Sequence, residues 1–280
     1  RELIQPLPLT LLARLAGALL ANLENALLAR RLGVAVVPVY VLTRKGPDLA
    51  RLLIGRSVVA VGPALALAVG RGDEDSVRQT IGRVGLVLVW ALGLLAGGVL
   101  LFNEAFVRLW VGSDFFSGEP ANALLAAVVV VQALTSGLVA LGVALGRVQR
   151  MSALQTGQGI LHAACVGAGC WAFGLEGLLG GAVVSFSVAA VVFLRTLGPM
   201  ITLSAGTQRM FFREIFRQTL LLGALTAGFR LALPAANDWV AFAGQAALFV
   251  GLYAGLTALF SPDRRVFSSV SENPQPVAHS

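Results

Sequence analysis

The chain has 280 residues, a net charge of +7 and a mean hydropathy of +0.82; 57% of its residues are hydrophobic and only 12% charged. A water-soluble domain carries about 25% charged residues, so this composition excludes one and points to a membrane protein. The basic excess does not indicate nucleic acid, because the basic residues sit in short loops between apolar runs.

Residues 1–7 are polar and broken by proline, so no secretory signal is read there. Residue 1 is Arg rather than Met, and the chain is expected to be a fragment beginning within a longer gene. Eight segments then read as transmembrane helices: Leu7–Leu28, Val34–Gly70, Ile81–Phe102, Ala121–Gly146, Leu154–Phe173, Gly177–Leu197, Ile215–Leu233 and Trp239–Phe260. The second is too long for one perpendicular span, at about 1.5 Å per residue. Gly46-Pro47 and Pro63 should kink it, and its end should project into the cytoplasm. Asp73-Glu74-Asp75 reads as the start of a cytoplasmic helix, where acids suit the N-terminal dipole. The stretch Asn103–Pro120 reads as the longest outer loop, and Ile201–Arg213 as a polar, basic linker. The last twenty residues, Ser261–Ser280, are polar and expected to be disordered.

Basic residues set the orientation. With the N-terminus inside, Arg1, Arg71, Arg78, Arg83, Arg147, Arg150, Arg195, Arg209, Arg213, Arg217, Arg264 and Arg265 fall on the inner side. Only Arg30, Arg31, Arg108 and Arg230 fall outside. Both termini are therefore expected in the cytoplasm.

The second segment is the most informative. It carries Arg44, Lys45, Asp48, Arg51 and Arg56 within an apolar helix. A charge at the bilayer centre costs about 2.5–3.5 kcal/mol on insertion scales, so each needs compensation. Arg44, Asp48 and Arg51 are spaced to share one helical face, with Lys45 and Arg56 near Asp48. In the first segment, Arg14 and Glu24 lie on neighbouring faces, so two consecutive helices present charge toward one place. One reading is a wet, cationic cavity for a phosphate-bearing substrate, with bidentate arginine contacts. The other is a set of internal salt bridges, such as Asp48 with Arg44 or Arg51, or snorkelling of Arg51 and Arg56.

Other signals are weaker. His162 sits alone in an apolar helix with no carboxylate to place beside it, and reads as structural. Cys165 and Cys170 point to different faces, so neither a disulfide nor a metal pair is expected. Small-residue pairs at Gly93/Gly97, Gly142/Gly146, Gly177/Gly181 and Gly251/Gly255 suit close helix packing. No Gly-rich phosphate loop, zinc spacing or nucleophile elbow stands out, so no cofactor, no metal and no enzymatic activity are expected.

Several segments together resemble the polysaccharide flippases, the O-antigen and lipid-linked oligosaccharide exporters of the multidrug/oligosaccharidyl-lipid/polysaccharide superfamily. They are LARLAGALLANLENALLARRLG (Leu12–Gly33), VPVYVLTRKGPDLARLLIGR (Val37–Arg56), GDEDSVRQTIGR (Gly72–Arg83), LFNEAFVRLWVG (Leu101–Gly112) and FGLEGLLGGAVVS (Phe173–Ser185). The resemblance covers about residues 5–200 and rests on order and spacing. It implies an all-α integral membrane fold matching helices seven to fourteen of a fourteen-span transporter. Residues 1–200 would be the six-helix C-terminal lobe, 201–260 two additional spans and 261–280 a cytoplasmic tail. It implies translocation of an undecaprenyl-pyrophosphate-linked glycan across the cytoplasmic membrane, with the lipid tail left among the membrane lipids. Arg14, Arg44, Lys45, Arg51 and Arg56 would hold the pyrophosphate, and Glu24 and Asp48 are the carboxylates suited to ion coupling. The N-terminal lobe would come from a separate or missing segment. A drug or metabolite antiporter of the same superfamily, a membrane glycosyltransferase and a non-transporting membrane subunit are the competing readings. The first would want an acidic cavity. The second would want a catalytic carboxylate or a large outer loop.

Overall fold

In the computed structural model, residues 22–60, 62–198 and 205–260 are described, and all the regular structure among them is helical. Residues 22–32 form α1. There follow α2 (Val36–Ala60), α3 (Gly62–Gly70), α4 (Glu74–Val111), α5 (Glu119–Ala144), α6 (Val148–Leu197), α7 (Ala205–Ala232) and α8 (Trp239–Phe260). Four of them, α4 from Ser76 onward, α5, α6 and α8, are long and apolar enough to cross a membrane. With no water to satisfy a peptide group, a helix is the economical solution for such sequences. The chain is thus an all-α membrane protein.

The acidic stretch begins a helix at Glu74, as its charge pattern suggested, because Asp73 caps it: its carboxylate accepts from Ser76 N at 3.0 Å and Ser76 Oγ at 2.6 Å. The boundaries correct the sequence expectations in two places. The expected outer loop at Asn103–Pro120 shrinks to residues 112–118, since α4 runs on to Val111 and only a single 3-10 turn, Ser113–Phe115, follows. The expected linker Ile201–Arg213 is helical from Ala205. The first twenty-one residues and the tail from Ser261 lie outside the described residues, as does Arg14.

α6 is two helices joined at a sharp break. Phe173 (φ −132°, ψ 16°) and Gly174 (φ 63°, ψ −134°) leave helical geometry, so residues 148–172 and 175–197 fold back as two arms. A left-handed φ suits glycine at that corner. The arms touch backbone to backbone: a methyl group at Gly169 or Gly177 would collide with the other's carbonyl, and one at Gly181 with the Cys165 carbonyl. Small residues here permit the close approach that apolar helices need in lipid.

Turns alternate between two poles. Gly33, residues 112–118, Gly174 and residues 233–238 share one pole: Leu32 packs on Gly174, Thr43 meets Phe115, and Arg108 bonds the Ala236 carbonyl at 2.5 Å. The main core joins α1, α2, α4, α5 and both arms of α6 around Leu28, Tyr40, Leu125, Val129, Val166 and Leu178. A second layer forms where α7 runs parallel to α4 and α8 antiparallel. Phe102, Phe229, Phe249 and Tyr253 pack there, with Phe249 and Tyr253 seated on Gly97 and Gly93. Gly142 likewise receives Met151, whereas Gly251 and Gly255 face open space.

Candidate functional site

α2 continues through Pro47 rather than ending there. Proline has no N–H, so the Thr43 carbonyl loses its helical partner. Asn103 of α4 replaces it, donating Nδ2 to Thr43 O at 2.9 Å and sharing a 2.8 Å bond with Asn122. Gly46 permits this approach, since its open side lies against Asn103 and Phe106. The middle of α2 is thereby fixed against α4.

That positions the polar face of α2. Arg44 donates Nη1 to Glu24 of α1 and to the Tyr40 hydroxyl at 2.5 Å, and its Nε to Asp48 at 3.0 Å. The Tyr40 hydroxyl also donates to Glu24 at 2.6 Å. Asp48 in turn lies 3.7 Å from Arg51 Nε. The other oxygen of Glu24 is 3.1 Å from His162 Nε2, and His162 Nδ1 is 2.8 Å from Ser185 Oγ. Four helical segments meet here: α1, α2 and the two arms of α6.

Charge alternates along this chain: Glu24, Arg44, Asp48, Arg51. The inner pair, Glu24 and Arg44, is 8% and 17% exposed, and the outer pair, Asp48 and Arg51, is more open at 35% and 26%. One end is sealed against His162 and Ser185, 5% and 0% exposed. The other opens on the flank of α2. Counting about 1.5 Å per helical residue from the turns at Gly33 and Gly174 places Glu24, Arg44, His162 and Ser185 roughly 13–18 Å below that pole. That is near the middle of a hydrocarbon layer about 30 Å thick.

Arg44, Asp48 and Arg51 do share a face, and Glu24 meets them from α1. Part of their charge is spent within the chain, as the internal salt-bridge reading anticipated: Glu24 and Asp48 compensate Arg44, and Asp48 accompanies Arg51. Lys45 is exposed and outside the cluster. Arg56 lies on α2, and the placement of its side chain falls outside the description. His162 is a correction. It is bonded to Glu24, a carboxylate 138 residues away. The signal was present in the sequence: two lone polar residues at similar helical distance from two glycine turns, each needing a partner in lipid.

A second buried carboxylate, Glu214 of α7, lay outside the predicted spans. It accepts from Trp90 Nε1 at 2.6 Å, Gln218 Nε2 at 2.9 Å and Arg217. The Tyr253 hydroxyl closes the group by donating to the Trp90 carbonyl at 2.7 Å. This group joins α4, α7 and α8.

At the pole of Gly33, three of the four basic side chains expected outside are engaged by the chain itself. Arg31 lies 5.7 Å over the Trp171 ring, Arg108 bonds Ala236 O, and Arg230 pairs with Glu119 at 2.9 Å. Compared with the known protein families, with curated proteins and with solved structures, the chain matches none.

Proposed function

We propose that the chain is the C-terminal part of a flippase for lipid-linked oligosaccharide, in the cytoplasmic membrane with both termini inside. The observation that carries the reading is the alternating charge ladder that climbs from a sealed interior to an open flank of α2. A structural ion pair has no need of such a gradient. Arg51, at its open end, is near Asp48 at 3.7 Å without a hydrogen bond to it. A guanidinium has five donors, so most of its capacity is available to a pyrophosphate. Lys45 adds a second exposed cation on the same helix. The exposed side chains beside them, Leu49, Leu52 and Leu53, are 55%, 50% and 71% exposed. That flank is where an N-terminal lobe would close the cavity, and rocking of the two lobes would give alternating access.

In this reading α2, both arms of α6 and α7 also cross, giving eight spans with α1, α3 completing the second and projecting inward. Orientation is supported by the engaged arginines at the pole of Gly33, which leave the uncompensated basic residues at the other. Glu24 is the better coupling candidate of the two carboxylates, because it alone touches a second titratable group, His162. Arg14 and Arg56 remain expected pyrophosphate ligands from the resemblance. The chemistry is transport without bond making.

The test is glycan export in a flippase-deleted host, with this chain expressed alone and then with an N-terminal lobe. Restored surface glycan with the lobe, lost on Arg51→Gln while membrane insertion persists, supports the proposal. Correct insertion with no rescue in either setting counts against it and favours the non-transporting subunit.

A further inference from the structure

α7 departs from the other long helices in its first half. Arg209, Arg213 and Arg217 recur every four residues, so they run along one flank. Arg217 is turned inward and neutralised by Glu214. Glu214 is 1% exposed and already accepts from Trp90 and Gln218, so it offers nothing to the other two. Arg209 and Arg213 are exposed and have no acidic partner among the described residues. Beside them on the same helix stand Phe212 and Phe216, 75% and 65% exposed.

The height of this face is fixed. A methyl at Gly85 of α4 would lie 2.7 Å from Phe211, so α7 starts pinned on α4. Further along, Gln218 Nε2 meets Thr257 Oγ1 of α8 at 3.4 Å. The apolar helix α8 ends three residues later at Phe260. At 22 residues it is about 33 Å long, which matches the hydrocarbon thickness. From the level of Gln218, Phe260 is about 4.5 Å away and Arg213 and Arg209 about 7.5 and 13.5 Å. Arg213 therefore stands roughly 3 Å past the end of the hydrocarbon, inside a headgroup layer about 5–7 Å deep, and Arg209 roughly 9 Å past it, one turn further out at the edge of that layer. By the same count Phe216 lies about 1.5 Å inside the hydrocarbon and Phe212 about 4.5 Å outside it.

We infer that Arg213 and Arg209 form a binding site for the phosphate headgroup of an anionic membrane phospholipid, with Phe216 seated at the top of its acyl region. The site needs nothing from the transport reading. Guanidinium pairs recognise phosphate through directed donors, and a cation at an anionic membrane surface strengthens binding about five-fold. The inward Arg217 and its Glu214 partner hold the helix with Arg213 at headgroup height and Arg209 one turn beyond it.

The test is lipid retention by the purified full chain in detergent, measured by native mass spectrometry with phosphatidylglycerol or phosphatidylcholine added. The wild type should retain phosphatidylglycerol in preference. Arg209→Gln with Arg213→Gln should lower that retention about five-fold per arginine, and Arg→Lys at both positions should keep most of it. Both side chains are exposed, so the variants should fold; helicity and gel filtration check this. If they do not fold, the wild type's preference between the two lipids decides. Equal retention of both lipids, an unchanged double Gln variant, or release by inorganic phosphate would each overturn the assignment.

Discussion

The molecule holds two buried carboxylates, and they are solved differently. Glu214 is enclosed by three donors from α4 and α7, one of them Arg217, and the group ends there. Glu24 is likewise buried, yet its partners lead outward through Arg44 and Asp48 to Arg51, and inward to His162. The first is a closed knot tying α7 and α8 to α4. The second is a path with an open end and a titratable one. A charge kept in an apolar protein for packing is best sealed completely; one left half open costs desolvation without full compensation. That contrast fits an anchoring role for Glu214 and, under the proposed function, a role in transport for Glu24 and its neighbours.

The largest expected effect lies at the closed knot. Glu214→Ala strands Arg217 inside the protein and should cost about 3–5 kcal/mol, read as lost folded yield and a lower Tm. Glu24→Ala should cost less, about 1–3 kcal/mol, because Arg44 keeps Asp48; export should still fail. Gly181→Ala, which sets a methyl against the Cys165 carbonyl, should cost about 1–3 kcal/mol, while Gly255→Ala should be close to neutral. Tyr253→Phe removes one buried bond to Trp90 O and should cost about 1 kcal/mol. Thermal unfolding in detergent ranks all five. A Gly255 variant as damaging as the Gly181 variant would contradict the packing described for α6 and α8.

Much of the architecture was legible in the sequence. α8 matches its predicted bounds, and the break at Phe173–Gly174 falls between the two predicted segments, since glycine supplies the left-handed corner. The misses have one cause. Hydropathy marks where a helix becomes polar, not where its hydrogen bonds end. Thus NEAFVRLW at the end of α4 and the basic start of α7 were read as loop or linker although they are helical. At the site, the face shared by Arg44, Asp48 and Arg51 followed from helical spacing. The partner of His162 did not, because it lies in another helix, and the similar distances of the two residues from the turns at Gly33 and Gly174 were the only hint of the pairing. The Glu214 knot was hidden for the same reason: Trp90 is 124 residues from the carboxylate it bonds.

The most direct measurement compares glycan export with folded yield for two variants, Arg51→Gln and Glu214→Gln, each co-expressed with an N-terminal lobe in a flippase-deleted host. The account predicts that Arg51→Gln keeps wild-type yield and loses export, whereas Glu214→Gln loses yield and exports in proportion to the protein that remains. Full export by Arg51→Gln at normal yield would contradict it.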